Sequence, residues 1–324
     1  MSLLIAGSIA TDHLMTFEGK FADSLVVEQL DKLSVSFLVQ DLEIRRGGCG
    51  PNICFALARL GVRPVLVGAA GEDFRDYQSW LERHGVDCSS VRISEDKHTA
   101  RFVCTTDTTM AQFASFYPGA MSEARLVELG PIVERVGAPD YVLVGPDDPD
   151  GMVRHSDECR QKGYPFIADP GQQLAFGDGA LIRKLVDGAA LLFSNEYESH
   201  LIANKTGWSS EEILDRVGIQ VITLGKDGVR VLRQGEEAIE VPAVSGVQAV
   251  EPTGVGDAFR AGFIAALEWG ASLERACQVG CTIAAYVVET VGTQEYDFTA
   301  EEFAARVAAS YGDEAGAEVR KQLS

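Results

Sequence analysis

The feature that most constrains this chain is a repeated change of hydrophobic period. Short apolar runs that close on glycine alternate with stretches of helical spacing. Leu3–Gly7, Pro64–Val67, Tyr141–Val144, Phe166–Ala168, Leu191–Phe193 and Val221–Leu224 read as buried strands. Asn52–Leu60, Phe74–His84, Met152–Lys162 and a segment from Glu196 read as helices between them. Buried strands punctuated by amphipathic helices are the pattern of βαβ units around a parallel sheet. The spacing further predicts a hairpin, Gly228–Arg233 with Ala238–Val241, turning at Gly235. Long helices are expected at Ala258–Trp269 and Leu273–Glu289, and another near Glu301–Ser310.

Two segments break the alternation. Ser34–Ile44 and Thr99–Phe116 are rich in β-branched and aromatic residues and no helix follows them. Apolar and polar residues partly alternate within Arg101–Thr106 and Ala111–Phe116, as in a half-exposed antiparallel sheet. Together with His13–Phe17 they are read as a small β lid, from segments near 13–17, 34–46 and 98–117, inserted into one α/β domain spanning 1–324. No repeat or low-complexity linker suggests a second domain.

Composition removes several classes of function. The 324 residues carry a formal charge of −20, which repels polyphosphate backbones and anionic membranes. Seven cysteines, an odd number with no C-x-x-C pair, argue against a disulfide framework or a zinc ribbon and suit a reducing cytoplasm. The five histidines form no H-E-x-x-H cluster. The N-terminus lacks a basic start and is broken by Asp12, so it reads as a strand and not a signal peptide. The run Ala276–Val288 is too short to cross a bilayer.

The segment that promises chemistry is Pro252-Thr253-Gly254-Val255-Gly256-Asp257-Ala258-Phe259, two glycines directly ahead of a long helix. Glycines let backbone approach a ligand, and a helix N-terminus offers unpaired N–H donors and the positive end of the dipole. That is a place for a phosphate or a developing anion. Asp257 beside it has the chemistry to take a proton from an attacking hydroxyl, although acidic residues also occur in first helical turns for the dipole alone. No G-x-x-x-x-G-K-[ST] segment exists, which excludes a P-loop enzyme.

Four motifs in order carry a family resemblance: Gly47-Gly48-Cys49-Gly50-Pro51-Asn52, Asn195-Glu196-Tyr197-Glu198, Thr223-Leu224-Gly225-Lys226-Asp227-Gly228 and the Thr253–Phe259 segment. They resemble the signatures of the ribokinase-like (PfkB) carbohydrate and nucleoside kinases. Gly7–His13, Ala114–Ser122 and Glu289–Glu295 are further similar to the actinobacterial branch of adenosine kinases. The run Cys49-Gly50-Pro51 departs from that pattern; its proline stiffens the loop and leaves Asn52 in place.

The resemblance implies a three-layer α/β/α fold with a largely parallel sheet and a β lid. It implies ATP-dependent phosphorylation of the 5′-hydroxyl of adenosine, with Asp257 as base and the amides of Gly254, Val255 and Gly256 as anion hole. Asp12, Gly48 and Asn52 are expected on the ribose hydroxyls. Ser8, Gln172 and Gln173 are expected on the base, and Phe102 and Phe116 over the purine. Asn195, Thr223, Gly225 and Gly228 are expected to line the ATP site, with Glu198 placing Mg²⁺ through water. A monovalent cation such as K⁺ is expected near Ala249–Glu251 and Gly292–Gln294. Pairing of two lids would cover exposed strands, so a homodimer is expected.

Each residue also has a plainer reading. Asp12 fits a turn after the first strand, Asn52 a helix N-cap, Gln172 and Gln173 the turn after Asp169-Pro170-Gly171, and the two phenylalanines a lid core. Asn195-x-x-Glu198 is also a capping-box pattern. A sugar kinase such as a ribokinase or fructokinase, another nucleoside kinase, and a non-catalytic binding protein are the alternatives. An aromatic cage favours a purine over a free sugar, and a base beside an anion hole favours an enzyme over a binder.

Overall fold

The computed structural model describes residues 2–25, 31–32 and 34–323. Among the described residues thirteen strands fall into two sheets. In chain order they are β1 (Leu3–Ala6), β2 (Ala10–Phe17), β3 (Asp41–Gly47), β4 (Pro64–Gly71), β5 (Val91–Ser94), β6 (Ala100–Asp107), β7 (Gln112–Tyr117), β8 (Tyr141–Val144), β9 (Phe166–Ala168), β10 (Leu191–Asn195), β11 (Ile219–Thr223), β12 (Val229–Leu232) and β13 (Ile239–Val241). The large sheet runs β13-β12-β11-β10-β9-β8-β1-β4-β5. It is parallel from β11 to β5 and ends in the antiparallel β12–β13 hairpin.

Both faces of this sheet are buried, which explains why its strands read as unbroken apolar runs. In β1, Leu3 and Ile5 face one core and Leu4 and Ala6 the other. The first core packs beneath the helices Cys49–Arg59, Val255–Glu268 and Leu273–Val288, and the second beneath Leu129–Val136, Pro149–Lys162, Gly179–Val186 and Glu196–Thr206. The result is a helix–sheet–helix sandwich. Local chemistry sets the helix ends. Asp148 caps the Pro149–Lys162 helix by accepting from the Gly151 N–H, and left-handed Gly163 closes it.

β1 sends the chain to β4 on one side, whereas β8 lies on its other side. The strand order therefore reverses between β1 and β8, and the loops after these strands splay apart at their carboxyl ends. Such a crevice is where open α/β sheets place ligands. Two excursions leave from this same edge. β2 and β3 lie between β1 and the Cys49–Arg59 helix, and β6 and β7 between β5 and the 3₁₀ turn Gly119–Leu126. They join as the second sheet, in the order β3-β2-β6-β7.

The second sheet differs from the sequence reading in three ways. β2 begins at Ala10, so Asp12 stands on a strand and not in a turn. Residues 34–39 carry no strand, and pairing begins only at Asp41. The sheet is also not purely antiparallel, because β2 and β6 run parallel over Ala10–Phe17. A whole βαβ passage of the body separates these strands, and such a crossover returns the chain in the same direction. The distal end of the sheet is closed by Phe17, Phe21, Phe37 and Phe113, whose ring centroids lie 4.6–5.9 Å apart.

Candidate active site

The helix Val255–Glu268 starts at Gly254, which adopts φ +76°. A Cβ at Gly254 would lie 2.9 Å from Thr293 Cγ2, so the position excludes a side chain both by conformation and by space. Asp257 follows in the first turn. Its partner comes from across the molecule: Asn52 Nδ2 donates to Asp257 Oδ2 at 2.9 Å. Asn52 is not the expected N-cap. Gly48, at φ +91°, occupies the cap of the Cys49–Arg59 helix, and Asn52 lies buried in its first turn. A Cβ on Gly48 would fall 2.3 Å from the Ser8 carbonyl, so the two loops touch backbone to backbone.

The orientation of the Asn52 amide is dictated from a distance. The Trp80 indole can only donate, and its Nε1 donates to Gln294 Oε1 at 3.1 Å. The other end of that amide, Gln294 Nε2, therefore donates to Asn52 Oδ1 at 3.0 Å and to Tyr77 Oη at 2.6 Å. Tyr77 Oη in turn donates to the Gly47 carbonyl at 3.0 Å. With its oxygen so used, Asn52 must present its NH₂ to Asp257. Burial lifts the Asp257 carboxyl to about 6, while the Asn52 hydrogen bond and the Arg260 guanidinium pull it down and Asp169 pushes it further up.

Strand register gathers the residues of the second sheet. Arg45 faces Asp12, Asp12 faces Phe102, and Phe102 faces Phe116, one transverse row on one face across β3, β2, β6 and β7. Phe102 and Phe116 remain 36% and 53% exposed, so they are not a packed core. Burial raises the Asp12 carboxyl to about 6, with Arg45 opposing and Glu251 reinforcing the rise. Arg45 Nη1 donates to Glu251 Oε2 at 3.0 Å, and Gly292 N–H donates to the same oxygen at 3.0 Å. The base of the second sheet is thus tied to the two loops flanking Gly254. Arg46 reinforces this by stacking 4.0 Å over Trp80 and pairing with Glu295 at 3.4 Å.

The crevice between β1 and β8 holds the remaining acceptor-side candidates. Ser8 N–H donates to the Pro146 carbonyl at 2.9 Å, and the Cys49 thiol donates to the same oxygen at 3.2 Å. Gln173 reaches the crevice but spends its Nε2 on the Asp147 carbonyl at 2.8 Å. Gln172 is exposed and precedes the short Gln173–Phe176 helix.

On the other flank, Asn195 and Thr223 are register partners at the ends of β10 and β11. Gly225–Gly228 forms a tight 3₁₀ turn closed by the Leu224 N–H to the Gly228 carbonyl at 2.8 Å. Asn195 and Glu198 form the capping box their spacing predicts, each accepting from the other's N–H at 2.8 Å. A cleft of about 510 Å³ opens nearby between Tyr197, His200, Ile222, Leu224 and Arg230, but no acceptor-side residue lines it. Among the described residues no group of three or more His, Cys, Asp or Glu side chains forms a metal cage. A single carboxylate such as Glu198 suits Mg²⁺, which keeps waters and takes few protein ligands, and does not suit a caged transition metal.

Asp257, Asn52, Gly48, Gly254 and Ser8 thus converge on one edge of the sheet, beneath the row of Asp12, Phe102 and Phe116. Reasoning from residues alone did not pick out Gln294, Tyr77, Trp80, Arg45, Arg260 or Asp169. Arg260 stands directly after the Thr253–Phe259 segment, and Gln294 inside Glu289–Glu295, so both lay in stretches already singled out.

A helix N-terminus opened by Gly254, a buried carboxylate held by Asn52 and a separate flank of turns are what the fold sets along this edge. The model of the pfkB family of carbohydrate kinases matches residues 21–299, and the chain belongs to that family. The chain is 35% identical to a nucleoside kinase of Burkholderia thailandensis solved in complex with inosine. That alignment covers 96% of this chain and 99% of the other with a TM-score of 0.83. It is 27% identical to a nucleoside kinase of Methanocaldococcus jannaschii, over 83% of this chain and 87% of that one. A ribokinase of Haemophilus influenzae is 24% identical over 90% of this chain and 94% of its own. The protein is a nucleoside or sugar kinase with a hydroxyl acceptor.

Proposed function

We propose that the protein transfers the γ-phosphoryl group of ATP to the 5′-hydroxyl of adenosine. The observation that carries this reading is Asp257 itself, fixed at the helix N-terminus behind Gly254 and held by Asn52 at 2.9 Å. Asp257 accepts the proton of the attacking hydroxyl, which is general-base help typically worth ~10²- to 10⁴-fold. The N–H groups of Gly254, Val255 and Gly256 receive the charge that develops on the transferred group. Asp12, Gly48 and Asn52 bind the ribose diol; after its two bonds the Asn52 amide keeps one N–H and one lone pair for that task. Phe102 and Phe116 cover the purine, with Ser8 and Gln173 at its edge. Closure of the second sheet as a lid over one catalytic domain excludes water from the transfer.

Asn195, Thr223, Gly225 and Gly228 hold the nucleotide. Glu198 would hold Mg²⁺, which would neutralise phosphate charge, and the loops at 249–251 and 292–294 would flank a monovalent cation such as K⁺. Leu42, Ile44 and Tyr117 are exposed large side chains on the face of the second sheet opposite Phe102 and Phe116, and pairing of two such sheets in a homodimer covers them. All seven cysteines are free thiols, in keeping with a cytoplasmic setting. Among the described residues no helix is long and apolar enough to cross a membrane.

One observation favours a second reading, a nucleoside kinase that accepts several purines. Gln173 spends its amide on backbone and Gln172 faces solvent, so few fixed donors read the base. The test is ATP-dependent phosphorylation across adenosine, guanosine, inosine, ribose and fructose. Adenosine turned over best supports the first reading, and comparable rates on the three purines support the second. A free sugar turned over best overturns both. Mass in solution at micromolar concentration decides the dimer: a monomer there overturns it.

A further inference from the structure

Arg260 is a buried cation that none of the roles above uses. It lies on the helix Val255–Glu268 one turn after Asp257, with its side chain 9% exposed. Nη2 donates to Asp169 Oδ1 at 2.7 Å, and Nε lies 2.5 Å from Asp169 Oδ2. Asp169 is 3% exposed at the carboxyl end of β9. Nη1 donates back to the Gly256 carbonyl at 3.0 Å, and a Cβ on Gly256 would meet that nitrogen at 2.9 Å. The guanidinium therefore lies flat against the turn that carries Asp257. The Phe193 ring faces it at 5.6 Å.

Stability does not explain this arrangement. Two charges taken out of water recover their desolvation only through good geometry, and an apolar pair of similar volume commonly holds a helix as well or better. An apolar pair lacks a permanent positive charge next to a carboxylate that must lose its proton. Guanidinium keeps that charge at every accessible pH.

We propose that Arg260 and Asp169 form a positioning pair that sets the proton affinity of Asp257, Arg260 holding it ionised and Asp169 anchoring Arg260 while moderating its field. With Asp257 taken as the base, this pair decides the lowest pH at which the acceptor hydroxyl is deprotonated. The groups facing Asp257 come from four elements. Asn52 and the Cys49 thiol come from the helix Cys49–Arg59, Asp169 from β9, Arg260 from its own helix, and Tyr296 from the segment after Leu273–Val288. Asn52 is neutral. Burial pushes both the Cys49 thiol and the Tyr296 phenol up, so both remain protonated near neutrality. Arg260 and Asp169 are thus the charges acting on Asp257, and they act in opposite senses.

Opposite senses make the test sharp. The acid limb of kcat/KM against pH reports the base of the free enzyme. In Arg260→Met the cation beside the turn that carries Asp257 is gone. The limb then moves up by about 1 pH unit. In Asp169→Asn the amide oxygen still accepts from Arg260 but the anion is gone, and the limb moves down by a smaller amount. A pair that only braces the helix lowers activity without moving the limb. The ¹³C signal of the Asp257 carboxyl, titrated in the unliganded protein, reads the same shifts without turnover. Should the wild type phosphorylate no nucleoside or sugar, the kinase reading fails while the titration still decides the tuning. Should Arg260→Met not fold, Asp169→Asn must still move the titration down and Arg260→Lys must leave it near the wild-type value. No shift, or shifts in the same direction, overturns the proposal.

Discussion

The proposed acceptor flank and the proposed nucleotide flank are built on different principles. Around Asp257 the side-chain hydrogen bonds reach to distant parts of the chain. Trp80 sets Gln294, Gln294 sets Asn52, and Asn52 faces Asp257, a relay whose links span 214, 242 and 205 residues of sequence. Around Glu198 the bonds are local: Asn195 and Glu198 cap one helix, and Leu224 closes on Gly228. A buried carboxylate needs a fixed environment to hold its charge, because each missing partner leaves a desolvated group. Phosphates bring their own charge and water, and for them a rim of turns and a helix N-terminus suffices. The difference predicts that substitutions on the acceptor flank change chemistry at a distance, and that those on the nucleotide flank act where they stand.

The largest expected effect is at the proposed base. Asp257→Asn lowers kcat by ~10²- to 10⁴-fold while leaving nucleotide affinity near its wild-type value, measured by steady-state kinetics and calorimetry. The same variant is expected to be more stable at pH 7. The folded carboxyl titrates near 6 against 3.8 in the unfolded chain, so the native state binds the extra proton between these values. The contribution of this group therefore favours folding at low pH and is lost as pH rises through about 6. At pH 7 the buried charge destabilises the unliganded protein by about 3 kcal/mol, which the asparagine removes. The gain in melting temperature disappears near pH 4. A variant less stable than wild type at pH 7 breaks the picture of a desolvated base.

Next is the proposed anion hole. Gly254→Ala forces a side chain onto φ +76° and into Thr293, 2.9 Å away. Displaced donors cost about 10²- to 10³-fold in kcat. Thr293 also anchors the second sheet through its bond to the Arg46 carbonyl at 2.9 Å. KM for the nucleoside is therefore expected to rise too, while KM for ATP stays within about threefold. Equal effects on both substrates would erase the distinction between the flanks.

Smaller still, and most specific to the relay, is Gln294→Leu. It touches neither substrate, yet it frees the Asn52 amide to turn. When its oxygen faces Asp257, the hydrogen bond that favours the ionised form is lost, and the acid limb of kcat/KM rises by about 1 pH unit. Activity well above that limb falls less than tenfold. An unmoved limb shows that Asn52 keeps its sense without Gln294.

What the sequence disclosed follows the same division. The layered architecture was legible because strands buried on both faces, such as Leu3–Ala6, leave a continuous apolar signature. Asp257 and the Asn195–Glu198 cap were legible because a helix start and a three-residue spacing are local chemistry. The limits of the second sheet were not, since residues 34–39 have strand-like composition but find no neighbour to pair with. The parallel β2–β6 pairing depends on where a chain returns after the intervening passage of the body, which no window of residues records. Trp80, Gln294 and the Asp169–Arg260 pair were missed for the same reason: each acquires its role only when residues about 90 to 240 apart are brought together. Arg260 in particular reads as an ordinary surface position until the fold buries it.

The nucleotide flank supplies the mildest test, and its value lies in separating two duties of one side chain. Glu198 accepts from the Asn195 N–H, and its presence in the first turn complements the helix dipole. Asn195→Ala removes the reciprocal cap and is expected to cost about 1 kcal/mol of stability with little change in the magnesium requirement. Glu198→Gln keeps an acceptor for the Asn195 N–H and loses only the charge. Stability is then expected to fall by a few tenths of a kcal/mol, while the Mg²⁺ concentration for half-maximal activity rises by about tenfold at fixed ATP. If both variants change stability and magnesium dependence in parallel, capping alone accounts for Glu198, and the metal-side role moves elsewhere. If they separate, the motif serves both purposes with different atoms: the carbonyl and amide of Asn195 build the turn, and the charge of Glu198 is left for the hydrated metal.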